Sequence, residues 1–279
     1  MHRGITLLAA LLLWLTMSVP AHGQDADAVA QVRQHAGTHR LLVLGEFHGT
    51  RETPRFVQAL MEAYAVEGKP LQLALELPTS ENERLAAYLQ SNGDATARRA
   101  LKDSPYWGVR THLHDGRRSH DMLDLIEAMR LLRAQGRDVR VYGFDPPAAK
   151  AGVPGARDAA MATYLRDRHA ALPPSARMVV LTGNVHAMRS QPRFMDWPPM
   201  TLLLRDLELY SVRIEARVGE FWGCSGSQRC STRPLTAYEG PSLSVDTDAG
   251  RSYDLWIRLP RFTVARLLGG TDLGCDQVP

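Results

Sequence analysis

The chain has 279 residues, enough for one substantial hydrophobic core. Its 33 Lys and Arg against 30 Asp and Glu leave a formal charge of +3, with the two signs interspersed. That weak balance, with no basic run interleaved with aromatics, argues against nucleic acid as a partner.

The N-terminus reads as an export signal. Arg3 supplies a charged start, and Ile5 to Leu15 is an apolar stretch too short to span a bilayer comfortably. Ala21-His22-Gly23 fits a small-x-small cleavage pattern, which places the cut after Gly23. An uncleaved N-terminal anchor is the alternative. The expectation is a periplasmic or secreted protein: residues 1–23 as signal, 24–279 as a single α/β domain, and no transmembrane segment after cleavage. A small separate C-terminal unit beginning near Gly219 is the other organisation considered.

Asp25 to Ala36 is a short amphipathic helix in this reading. The first apolar run, Leu41-Leu42-Val43-Leu44, ends in Gly45-Glu46-Phe47-His48-Gly49. Glu46 and His48 are two apart, so an extended backbone points them the same way. An acid beside an imidazole fixes its tautomer and raises its basicity. A purely structural Glu–His hydrogen bond is the plainer alternative. Arg51 follows just before a helix over Pro54 to Glu67, which Gly68 stops.

The second run, Leu71 to Leu75, ends in Glu76. A carboxylate there costs free energy unless it is paired or used. Its expected partners are His48 and His186, with a proton-accepting role towards water. A salt bridge to Arg51 or Arg117 is the structural alternative. Ser80-Glu81-Asn82-Glu83 reads as a capping box opening a helix through Gln90. Residues 91–118 are mixed, an irregular or partly helical insertion. Within it His112-Leu113-His114-Asp115 has metal-ligand spacing but no third anchor, and reads as a solvated loop. Arg117 and His120 flank Ser119, which caps a strongly amphipathic helix to Arg133, ended by Gly136.

The third run, Val139 to Gly143, is followed by Asp145, which can orient a histidine or bind a backbone amide. Arg157 to Ala170 is a further helix. The fourth run, Met178 to Thr182, ends in Gly183-Asn184-Val185-His186, repeating the Gly-x-x-His spacing with Asn184 in the place of Glu46. Met188, Met195, Trp197 and Met200 then cluster, as core packing or as the lining of an apolar pocket. Thr201 to Leu204, Leu207 to Ala216 and Tyr253 to Leu259 read as strands in a β-rich C-terminal portion. Cys224 and Cys230 suit a disulfide across a small polar loop, and Cys275 is left over, with another pairing through it open.

Short apolar runs separated by helices predict an α/β fold with a mostly parallel central sheet flanked by helices. Ligands in such folds sit at the carboxyl ends of the strands. One sheet edge thereby gathers Glu46, His48, Glu76, Asp145 and His186. Arg51 and Arg117 are the candidates to hold a substrate carboxylate or a developing oxyanion, with His120, Asp145 and Asn184 as further substrate-binding residues. No Gly-x-Ser-x-Gly elbow, His-Glu-x-x-His helix or P-loop is present.

At these residues the chain resembles the superfamily joining erythromycin esterases, Tiki/TraB proteins and ChaN-like haem-binding proteins. The matching pieces are Gly45 to Gly49, Glu76, Asp115-Gly116-Arg117, Arg157-Asp158-x-x-Met161-Ala162 and Gly183 to Ala187. The resemblance implies an α/β fold with both Gly-x-x-His elements facing one cleft. It also implies three chemistries: ester hydrolysis by activated water, metal-dependent peptide hydrolysis, or haem binding without catalysis. The long helical insertions of an antibiotic esterase are missing.

The leading expectation is an exported hydrolase of an ester or amide bond, acting on a small molecule or peptide. Glu46, His48, Glu76 and His186 would activate water, directly or through a divalent metal. The alternative is a binding protein for haem or an iron compound, with His48 or His186 as axial ligand. A third is an envelope protein that merely keeps the fold.

Overall fold

A computed structural model describes residues 21–147, 152–224, 229–248 and 250–269. The signal-peptide reading falls mainly on residues 1–20 and the reading of Cys275 on the C-terminus, both outside the described residues.

The order of elements is α1 (Ala21–Ala36), β1 (Leu41–Glu46), α2 (Glu52–Ala65), β2 (Leu71–Pro78), α3 (Asn82–Gln90), α4 (Ala95–Lys102), α5 (His120–Ala134), β3 (Val139–Asp145), α6 (Ala156–Ala170) and β4 (Arg177–Gly183). There follow α7 (Met200–Leu203), β5 (Tyr210–Ala216), β6 (Glu220–Gly223), β7 (Ser231–Pro234), β8 (Leu243–Val245) and β9 (Leu255–Leu259). Seven strands form one sheet in the order β3-β2-β4-β1-β5-β9-β8. All neighbours run parallel except β8, which closes one edge antiparallel to β9. β6 and β7 form a separate antiparallel hairpin.

The four apolar runs are the strands they were expected to be. β1 is buried at every residue because it lies mid-sheet, covered on both faces. Alternation sorts its side chains between two layers. Leu42 and Leu44 join the larger core with α1, α2, α3 and α5, while Leu41 and Val43 join a second core against α6 and α7. The result is a helix–sheet–helix sandwich. No helix among the described residues is long and apolar enough to cross a membrane.

The strand order does what the sequence alone does not reveal. β4 lies between β2 and β1, and the register sets Glu46 beside Gly183. β3 flanks β2, with Asp145 at its end. The carboxyl ends of four adjacent strands therefore bring Asp145, Glu76, Gly183 and Glu46 along one edge.

Some expectations are corrected. Thr201 to Leu204 is not a strand: α7 takes Met200–Leu203, started by Pro199, and a single turn over Arg205–Leu207 delays β5 to Tyr210. The capping box does not form. A 3₁₀ turn over Thr79–Glu81 leads into α3, Glu81 accepts from Ser104 Oγ, and no side chain caps the helix. The Asn82 side chain instead pairs with both the N–H and the carbonyl of Gly143 on edge strand β3. Within the insertion Asp94 caps α4. Ser119 caps α5 as expected, and Cys224 and Cys230 are bonded.

Candidate active site

Two glycines let the two Gly-x-x-His segments meet. A Cβ on Gly45 would come within 2.7 Å of the Ala187 Cβ and 3.2 Å of the Asn184 Cα. A Cβ on Gly183 would stand 3.0 Å from His48 Nε2 and 3.5 Å from Glu76 Oε2. With neither present, the Asn184 amide donates to the Glu46 carbonyl at 2.9 Å and the two turns lie against each other.

His48 and Glu46 point the same way, as their spacing predicts. His48 Nδ1 donates to Glu46 Oε1 at 2.9 Å. A carboxylate only accepts, so the network assigns the proton of the neutral ring to Nδ1 and leaves a lone pair on Nε2. That nitrogen makes no direct hydrogen bond among the described residues; its nearest carboxylate oxygen is Glu76 Oε2 at 3.8 Å. Burial works against a charged ring here. The charges of Asp115 and Glu76 and the bond to Glu46 outweigh it and raise the His48 pKa above its ordinary 6.5. Burial pushes the Glu46 carboxyl up from 4.5, against the pull of His48.

Glu76 is the hub of the cluster and is almost fully buried. Oε1 accepts from Arg117 Nη1 at 2.8 Å and Arg157 Nη2 at 2.6 Å. Oε2 accepts from Thr182 Oγ1 at 2.7 Å and the Gly183 amide at 2.6 Å. Its lone pairs are thus all engaged. Burial opposes its ionisation, but Arg117, followed by His186, His48 and Arg157, holds the pKa well below 4.5. A carboxylate so committed is a poor proton acceptor. The salt bridge weighed from the sequence is present, to Arg117 rather than Arg51, and the proton-accepting role expected of Glu76 is physically disfavoured.

His186 lies on the other side of the same carboxylate, its Nε2 3.9 Å from Glu76 Oε1. Nε2 also lies 2.9 Å from Arg157 Nη1. A guanidinium only donates, so Nε2 accepts and Nδ1 carries the proton, donated to Asp158 Oδ1 at 2.7 Å. Asp158 also accepts from the Met200 amide at 2.8 Å and Trp197 Nε1 at 3.3 Å. The Met/Trp cluster packs inward: Met195 and Met200 are buried, and Trp197 fits against Gly155.

Asp145 pairs with Arg157, whose Nη2 donates to Asp145 Oδ2 at 2.8 Å. Asp115 holds Arg117 with Nη2 to Oδ2 at 2.8 Å, and its own carboxyl is held far below the ordinary range by His48 and Arg117 against the effect of burial. A guanidinium has five N–H groups. Arg117 commits four, to Asp115 and Glu76. Arg157 likewise commits four, to Asp145, His186 and Glu76. One N–H on each is left without a partner among the described residues.

Glu46, His48, Glu76, Asp145, His186 and Arg117 therefore come together. Arg51, His120 and Asn184 fit their expected substrate-binding roles less well. Arg51 Nε is turned to the Val264 carbonyl at 2.9 Å. His120 is exposed on the first turn of α5, its amide bonded to the Arg266 carbonyl. Asn184 works through its backbone, giving its N–H to Glu46 and accepting from Tyr253 at 2.8 Å. His114 is not solvated: it is buried with Nε2 on the Leu268 carbonyl and Nδ1 accepting from the Gly116 amide. Arg157 and Asp158 carry no role from the sequence beyond the family resemblance. Their available signal is that they open the helix after the third strand, on the same sheet edge.

The donor set does not fit a divalent cation. A cation needs free lone pairs, yet those of Glu76 are spent on N–H and O–H donors, and two guanidiniums enter the cluster. Among the described residues no three His, Cys, Asp or Glu side chains are grouped to hold a metal ion. Of the two histidines weighed as a haem's axial ligand, His186 has its Nε2 facing Arg157 at 2.9 Å, whereas His48 Nε2 has no such neighbour among the described residues.

No family model matches the chain, and no match to it is found among curated proteins. Solved structures do share its fold. An erythromycin esterase mutant in its open conformation aligns with a TM-score of 0.62 at 12% identity, over 85% of this chain and 94% of that one. A Bacillus cereus protein aligns at 0.58 and 11% identity, over 88% and 98% of the two chains. A succinoglycan biosynthesis protein aligns at 0.58 and 12% identity, over 86% and 92%. At these identities the likeness is one of fold.

Proposed function

We propose that the chain is an exported hydrolase of an ester or amide bond, in which His48 draws the proton from the attacking water. The observation that carries this reading is the state of His48 Nε2. It is a lone pair with no hydrogen-bond partner among the described residues, on a ring oriented from behind by Glu46, at the carboxyl edge of a parallel sheet. A water at Nε2 gives its proton to the ring as it attacks the carbonyl. Glu46, with the charges of Asp115 and Glu76, steadies the imidazolium, which then protonates the leaving oxygen or nitrogen. The uncommitted N–H groups of Arg117 and Arg157 are the donors for the developing oxyanion.

Glu76 acts in this scheme as the fixed anion that arranges both guanidiniums. His186, oriented by Asp158, offers its lone pair to Arg157 and sets that side chain's position. The fold shared with an erythromycin esterase supports the reaction class. The Arg3-to-Gly23 pattern and the Cys224–Cys230 bond support an oxidising compartment outside the cytoplasm.

The test is a panel of nitrophenyl esters and short peptides, assayed with wild type, His48→Ala and Glu46→Gln. Turnover by wild type that collapses in His48→Ala is expected. Equal background rates in all three proteins, with and without added Mn²⁺, Co²⁺ or Zn²⁺, count against the reading.

A further inference from the structure

The β6–β7 hairpin lies outside the central sheet, yet it touches the cluster's supports at several points. Phe221 packs on Phe47, with ring centroids 4.6 Å apart. The Trp222 amide donates to the Gly49 carbonyl at 3.1 Å. Residues 221 and 222 therefore grip the chain on both sides of His48. Trp222 Nε1 donates to the His114 carbonyl at 2.8 Å, and the Cys230 amide donates to the His112 carbonyl at 3.0 Å. These bonds fasten the segment that leads into Asp115 and Arg117.

The fit is tight. Gly49 has φ +70° and Gly116 has φ +93°, conformations that favour glycine. A Cβ on Gly49 would overlap the Trp222 carbonyl, and one on Gly116 would overlap the Gly49 Cα. The three backbones thus stack with no side chain between them. Just beyond Trp222, the Cys224–Cys230 bond closes the end of the hairpin.

We propose that this disulfide-closed hairpin is the positioning element of the site, and that Trp222 is the residue through which it holds His48 and Arg117 at their working distances. The proposal rests on the reading above only in taking those two side chains as the working groups. Among the described residues Trp222 makes no hydrogen bond to a side chain of the cluster; it acts through Gly49, His114 and Gly116. The pair of loops it joins comes from distant parts of the chain, and among the described residues no backbone hydrogen bond runs directly between them; the segment 263–268 is their other tie, with the Ala265 amide on the Gly49 carbonyl at 2.9 Å and the Leu268 amide on the Arg118 carbonyl at 2.8 Å. Segment 263–268 bonds these loops on the side of Arg118 and His120, whereas the hairpin bonds the stretch from His112 to His114 that leads into Asp115, so weakening the hairpin is expected to let His48 drift from Asp115.

The deciding experiment follows the His48 ring by NMR in folded wild type, Trp222→Phe and Trp222→Ala, beside kcat and KM on an ester that wild type cleaves. In Trp222→Ala the His48 titration is expected to move towards the ordinary 6.5 as Asp115 recedes. kcat is expected to fall about 10- to 100-fold while KM changes little. Trp222→Phe keeps an aromatic ring but loses the bond to His114, and is expected to fall between wild type and Trp222→Ala in both quantities. Should Trp222→Ala not fold, the folded wild type is treated with a dithiol. This breaks the Sγ–Sγ bond, protonates Cys224 and Cys230 and oxidises the reagent to its own disulfide, and the same displacement of the titration is expected.

An unchanged His48 titration in folded Trp222→Ala, or in the reduced protein where that variant fails, overturns the proposal. The two readings fail separately. If wild type cleaves nothing but the titration moves, the hydrolase reading falls and the positioning role stands. If His48→Ala abolishes turnover while Trp222→Ala leaves ring and rate untouched, only the positioning role falls.

Discussion

His48 Nε2 stops 3.8 Å from Glu76 Oε2, beyond direct hydrogen-bonding distance. The gap exists because that oxygen is already taken by Thr182 and the Gly183 amide. The imidazole is thus close enough to feel the negative charge and too far to be quenched by it. In the proposed reaction, a water at Nε2 would therefore meet a base and not an ion pair.

His48→Ala should lower kcat by about 100- to 10,000-fold, the range for removing a positioned general base. Because the ring is partly open to solvent, the cost in folding should be modest. Chemical denaturation alongside the ester assay separates the two effects.

The pH profile has a definite sign. In the proposed reaction neutral His48 is the active form, and its pKa is raised above 6.5. kcat/KM should therefore climb with pH through a midpoint above 6.5. Glu46→Gln removes the carboxylate that favours the charged ring, so the midpoint should move to lower pH. A profile already flat at pH 6 in wild type would sink this assignment.

Gly183→Ala isolates the space beside Nε2. The φ of Gly183 is not in the left-handed region, so alanine fits the backbone, but its Cβ would stand 3.0 Å from His48 Nε2. Turnover should drop about 10- to 100-fold from crowding at the base. The melting temperature should change far less than in Glu76→Gln.

Glu76→Gln removes the anion shared by two arginines and should destabilise the fold by about 3–5 kcal/mol, as expected for breaking a buried ion pair. Linkage gives the pH dependence. A carboxyl whose folded pKa is depressed contributes stability above its ordinary 4.5, and that contribution is lost as pH falls through the folded value. Wild type should lose melting temperature on acidification below 4.5, and Glu76→Gln should show a flatter loss. Calorimetry over that range checks both.

The strands were legible because a buried parallel strand must be apolar along its length, and the acids and histidines stood where those runs ended. Convergence of Glu46, His48, Glu76 and His186 followed from that one regularity. The positions of Arg51 and Arg157 did not. Both open helices near the sheet edge, and only tertiary packing sends Arg51 to the Val264 carbonyl and Arg157 to Glu76. The Thr201–Leu204 segment is different: a threonine and three leucines carry no usable periodicity, and the preceding Pro198 and Pro199 are the better guide. Asn82 shows a capping pattern losing to a stronger demand, the unpaired edge of β3.

That last contact reaches beyond the site. Asn82 gives Gly143 the two bonds a missing neighbour would have supplied, and Arg133 likewise occupies the Val139 carbonyl. The border of the sheet is plugged from within the chain, so an intruding β-segment would first have to evict a side chain. Asn82→Ala would pull that plug, and growth of strand-templated aggregates, seen as rising light scattering, is the consequence.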